Sequence, residues 1–169
     1  MAGERGFSYF GNRYPTHARD DLRAMAGAGA TFVVHVMTEE DLAWNPGTIR
    51  DLVAATHRQG MTAWLDSWGA GGVFGGEAAS YAVMAHPGAC QKTNLGKHQP
   101  ARCPRQPALR DPIARWLDAA VASDATIVLW DEPHLFILRP QRSDLRWSCR
   151  CARCRRAFLR RHGVPMPTL

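Results

Sequence analysis

The stretch "ATIVLWDEPHLF", residues 125–136, decides how this chain is read. It opens as an apolar run and then meets two adjacent acids, Asp131 and Glu132, followed by Pro133 and His134. A near-continuous apolar segment suits a strand covered on both faces, as in a parallel sheet. Pro133 has no N–H and a fixed φ, so it ends the ladder where the carboxylates appear. Successive strand residues face opposite ways, so Asp131 and Glu132 are expected to meet different surroundings.

Two more segments read the same way: "TFVVHVM" (31–37) and "MTAWLDS" (61–67). A fourth, "GFSYFGN" (6–12), is weaker. Helical patterns lie between them, over 16–29, 47–60 and 111–123. In the second, Ile49, Leu52, Val53 and Thr56 recur at helical spacing,. Thr48 and Asp51 are spaced as a capping box, and Gly60 sits where a helix ends. In the third, Asp111 is expected as cap and Pro112 as first helical residue. Ile113, Trp116, Leu117, Ala120 and Val121 form its apolar stripe.

This alternation predicts right-handed βαβ units and a parallel sheet. The expected fold class is α/β, of the (β/α)8 TIM-barrel type, represented by about its first four βα units. Residues 1–169 are read as one partial barrel domain. It carries a long loop insertion over 67–110 and a Cys/Arg-rich segment over 139–162. A doubly wound open sheet competes. No G-x-G-x-x-G follows the first strand and no phosphate loop is present, which argues against dinucleotide and nucleoside triphosphate binding,.

The formal charge is +6, but it is concentrated. Residues 139–161 hold nine arginines and one acid, Asp144, while the remainder has 12 basic and 14 acidic residues. Such a tail suits a polyanion or a solvated helix face. No segment has the length of a membrane helix, and the N-terminus lacks the apolar core of a signal peptide. The expectation is a cytoplasmic protein with no membrane partner.

In parallel α/β folds, chemistry gathers at the C-terminal ends of strands. Each strand here ends on polar residues: Asn12 after the first, His35 near the end of the second, Asp66 at the third, and Asp131, Glu132 and His134 at the fourth. Trp130 supplies an apolar wall that would raise a carboxyl pKa, as a general acid requires. Trp64 and Trp68 flank Asp66, an arrangement suited to stacking on sugar rings or simply to packing. Glu77 sits in the glycine-rich run "GGVFGGEAAS". It is either a site residue or a helix-start acid.

Five cysteines occur, an odd number that argues against a disulfide framework,. Cys149, Cys151 and Cys154 have the C-x-C-x2-C spacing of a structural zinc site. The fourth ligand is Cys103, Cys90, His162 or a residue of the 134–148 loop. Free thiols and an oxidised pair are the competing readings.

"LWDEPH" on a fourth strand resembles the signature of the clan of (β/α)8 retaining glycosidases, whose Asn-Glu-Pro run presents the acid/base glutamate. "WSCRCARCRRAFLRRHGVPMP" and "VFGGEAAS" are similar to segments of bacterial glycosidase-like barrel proteins. The resemblance implies a glycoside hydrolase acting on a carbohydrate, with Glu132 as general acid/base. It implies Asp131 and Asp66 as catalytic residues with Glu132, and His35, His134, Trp68, Glu77 and Asn12 lining the sugar site. No catalytic cofactor is implied. Asp131 stands where the clan has asparagine, and the clan's nucleophile follows a seventh strand, which these 169 residues do not reach. A lone chain is therefore expected to be incomplete, its barrel finished by a C-terminal half or by a second copy. Two alternatives remain open. One is a metal-dependent hydrolase using His35, Asp66, Glu132 and His134. The other is a zinc-stabilised module that binds a polyanion, with nucleic acid the lesser partner.

Overall fold

The structure, a computed structural model, describes residues 3–10, 13–74, 80–133, 135, 137–138 and 146–168. In chain order the elements are β1 (Gly6–Tyr9), α1 (Pro15–Gly27), β2 (Phe32–Val36), α2 (Glu39–Trp44), α3 (Pro46–Arg58), β3 (Thr62–Asp66), α4 (Tyr81–Ala85), β4 (Cys90–Lys92), β5 (His98–Arg102), α5 (Pro107–Ala122), β6 (Ile127–Leu129), β7 (Ile137–Leu138), β8 (Arg146–Trp147) and α6 (Ala152–His162). They fall into two units, residues 1–68 with 114–131 and residues 69–113 with 132–169.

The first unit is built on a parallel sheet in the order β1-β2-β3-β6. The strands follow one another as they do in the chain, with no reversal of order. Val33, Ala63 and Leu65 are buried on one face of this sheet. They share a core with Leu22 of α1, Leu52 and Val53 of α3, and Trp116 of α5. By strand alternation Val34, Val36, Trp64 and Asp66 belong to the opposite face. There the Phe32 and Trp64 rings stack at 4.5 Å.

The helices begin at different residues from those the caps suggest. α3 starts at Pro46, whose missing N–H costs nothing in the first turn, so Thr48 lies inside the helix,. The capping box belongs instead to α2, a short helix not expected from the sequence. There the Thr38 hydroxyl accepts from the Asp41 N–H, and the Asp41 carboxylate accepts from the Thr38 N–H. Arg13 clamps the same carboxylate through Nε and Nη2, both at 2.8 Å. Burial alone would raise the Asp41 pKa; the bonds from Arg13 and Thr38 outweigh it and hold the carboxyl below its usual range,.

α5 also starts early, at Pro107, which leaves Pro112 inside it rather than at its first position. A proline cannot donate to the carbonyl four residues back, here that of Ala108. Arg102 fills that role: its buried side chain donates from Nη1 to the Ala108 carbonyl at 2.8 Å and from Nη2 to the Ala82 carbonyl. Val121, expected in the apolar stripe, is 78% exposed; Trp116 and Ala120 carry the buried face.

The expected insertion thus contains structure of its own. β4 and β5 form an antiparallel hairpin within it; outside it, β7 pairs with β8. Among the described residues no helix is long and apolar enough to cross a membrane.

Candidate functional site

The second unit brings Cys103, Cys149, Cys151 and Cys154 together. Backbone pairing does this. The segment after the β4 strand runs antiparallel to the segment after β8, with a bridge between Thr93 and Ser148. Asn94 and Trp147 exchange hydrogen bonds, and the Arg150 N–H donates to the Lys92 carbonyl at 2.7 Å. Buried Gln91 ties the layers: it donates to the Arg102 carbonyl at 3.1 Å and accepts from the Ser148 hydroxyl. Cys103, next after β5, is thereby held beside Cys149 and Cys151. Cys151 is the N-cap residue of α6, and Cys154 lies in its first turn. At the other end Gly163, with φ of 71°, closes the helix in the left-handed conformation that favours glycine,.

The four sulfurs all lie within 4.8 Å of one another. Cys103 Sγ is 3.7 Å from Cys151 Sγ and 3.5 Å from Cys154 Sγ. Those separations are far beyond a disulfide bond of about 2.05 Å. They match the edge of a tetrahedron whose centre lies about 2.3 Å from each sulfur, which is about 3.8 Å. The thiols cannot all ionise without a cation among them. Hydrogen bonds from Cys103 and Cys154 pull the Cys149 thiol down, and the same contact with Cys149 pushes Cys103 up. The positive end of α6 further favours thiolate at its first turn. The donor set therefore fits a structural metal ion. Cys90 takes no part: it is buried apart, with its Sγ against the Val83 and His86 carbonyls.

In the first unit Asp66 and Asp131 lie at or beyond the C-terminal ends of strands; Glu132 is the first residue of the second unit's closing segment. Asp66, the last residue of β3, is 3% exposed, and its Oδ1 has no hydrogen-bond partner among the described residues. Burial first, and then the negative charge of Asp131, push its pKa up to about 6. Backbone N–H groups of Asp131 and Ser67 act in the opposite direction and are outweighed. Phe10 and Trp68, which follow β1 and β3, meet edge to face at 5.4 Å, and Phe10 is 56% exposed. β6 ends at Leu129, so Asp131 and Glu132 lie beyond the ladder. Glu132 is exposed, with φ of 40°, a left-handed conformation uncommon outside glycine,. Such conformations cost about 1–3 kcal/mol and concentrate at functional sites.

His35 is placed elsewhere. It is fully buried, in register with Leu65 rather than Asp66, and so lies on the helix side of the sheet. The Thr56 hydroxyl donates to the Leu52 carbonyl, so it accepts from His35 Nε2 at 2.7 Å. Burial, then the charges of Arg13 and His57, lower the His35 pKa to about 4 and keep the ring neutral. It is a core histidine, on the face of the sheet opposite Asp66. Asn12, Glu77 and His134 lie outside the described residues.

The raised pKa of Asp66 has a sign that can be tested. The unfolded carboxyl ionises near 3.8 and the folded one near 6. The native state therefore holds more protons between these values, and stability falls as pH rises through that window. Asp66→Asn is expected to stabilise the chain at pH 8 by about 1–3 kcal/mol and to change little at pH 4. Urea unfolding at the two pH values measures this; equal stability of variant and parent at pH 8 would refute it.

Compared with models of known protein families, the chain matches none, and no curated protein is significantly similar to it.

Proposed function

We propose that the chain is part of a glycoside hydrolase-like (β/α) protein, with Glu132 as general acid/base and a structural zinc ion in the cysteine centre. One observation carries the reading. Parallel strands set side by side in chain order end on a buried carboxyl of raised pKa, Asp66, next to the charge of Asp131, and Glu132 follows directly. The aromatic pair Phe10 and Trp68 beside this edge suits the apolar face of a sugar ring. Asp131 and Asp66 are assigned to positioning and charge, Trp68 to stacking. Strand order favours a barrel over a doubly wound sheet, whose order reverses at a switch point. Four sulfur donors at tetrahedral spacing favour zinc over cations that prefer oxygen.

The test uses the full-length protein and a panel of nitrophenyl glycosides. Glu132→Gln should lower kcat by about 10²–10⁴-fold with folding intact. Turnover undiminished in that variant removes Glu132 from the chemistry. Loss of turnover on chelation at the strand edge, with the cysteine metal retained, would favour a metal-dependent hydrolase instead.

A further inference from the structure

The second unit contains a cavity of about 480 Å³ beside the cysteine centre. Its size is that of a small-ligand site. Trp147 and Phe158 give it aromatic walls, and Arg105, Arg161 and His162 give it three cationic or titratable groups; among the described residues no acid lines it. The surrounding chain is equally one-sided, since residues 146–168 hold seven arginines and no acid. Arg105 and Arg161 are exposed. The ion pairs among the described residues, Arg13–Asp41 and Arg23–Asp20, involve neither. Guanidinium groups without carboxylate partners among the described residues, set around aromatic rings, form a receptor for a ring-bearing anion.

The cavity is also tied to the candidate acid. Leu135 lines it and belongs to the same unit as Glu132. Three residues of chain span at most about 11 Å. Leu135 in the cavity wall therefore lies within about that distance of Glu132 along the chain.

We propose that this cavity is a subsite for a carboxylate-bearing glycan, a uronate-containing saccharide. Arg105 and Arg161 bind its carboxylates in the fork geometry, and Trp147 and Phe158 pack on its ring faces. The cysteine centre forms part of the site, because Cys149 and Cys154 contribute to the wall. The choice of a glycan rests on the reading of Glu132 given above; the same cations and rings would accept a single nucleic-acid strand, which is the competing outcome.

Calorimetric titration of the metal-loaded chain at low salt decides. Tetragalacturonate should bind, and a neutral galactotetraose of the same linkage should not. The double variant Arg105→Gln, Arg161→Gln should bind about tenfold more weakly or worse, with metal content and circular dichroism unchanged. Glu132→Gln should bind as the parent does. Four results overturn the proposal: no binding of the uronate, equal binding of the neutral oligomer, an undiminished double variant, or tighter binding of a single-stranded oligothymidylate. Binding is read without turnover. Uronate binding in a protein that cleaves no glycoside sinks the acid/base assignment and leaves the subsite, whereas cleavage of neutral glycosides without uronate binding does the reverse.

Discussion

Replacing Cys103 with serine is expected to release the metal and unfold the second unit. The reason is the way that unit is held together. Its strands are two to five residues long, and one of its buried apolar clusters is the cysteines themselves. Small metal-stapled units draw about 10–16 kcal/mol from zinc binding, more than such short elements supply alone. Cys103 comes from the hairpin and the other three ligands from the segment around the start of α6, so its loss unties the two. Metal content and hydrogen exchange together provide the readout. Protection should disappear over residues 69–113 and 146–168, while β2, β3 and α3 keep theirs. Cys90→Ser is the control: that thiol lies outside the cluster, and the variant should keep its metal. A Cys103→Ser chain that retains metal and full protection would refute the staple.

The second large effect is expected in the first unit. Trp116 is 1% exposed and packs in the core beneath the sheet, and its Nε1 donates to the Met37 carbonyl at 2.7 Å. Trp116→Ala removes the ring and leaves a cavity, at a cost of about 3–5 kcal/mol. It also leaves a buried carbonyl without its donor, about 1 kcal/mol or more in addition. Urea unfolding with an unchanged m-value measures this. A loss below about 1 kcal/mol would show that the site collapses or that the ring is not part of the core.

Much of the first unit was legible because apolar runs at the right spacing have few alternatives. "TFVVHVM" and "MTAWLDS" gave β2 and β3 to within one residue at each end, and the stripe Ile49, Leu52, Val53, Thr56 is the buried face of α3. The caps were less legible. Several residues near each helix start can cap it, and tertiary bonds choose among them: Arg13 selects Asp41, and Arg102 makes Pro112 tolerable inside α5. His35 shows a different limit. Alternation tells which residues of one strand share a face, but not which face meets the helices; the register with Leu65 and the bond to Thr56 decide that. The hairpin was hidden because its strands are short and polar, although "TNLGK" carries a turn signal. That hairpin is also why sequence alone left Cys103, Cys90 and His162 as rival ligands. The fourth ligand is fixed by the pairing of Thr93 with Ser148, which no local pattern reveals.

The central claim, that four thiolates from two separate segments enclose one metal ion, is met most directly by X-ray absorption at the metal edge on the chain as isolated. The account predicts one metal ion per chain with four sulfur neighbours at about 2.3 Å. Nitrogen or oxygen in that shell, or a chain without metal whose five thiols all titrate freely, would contradict it.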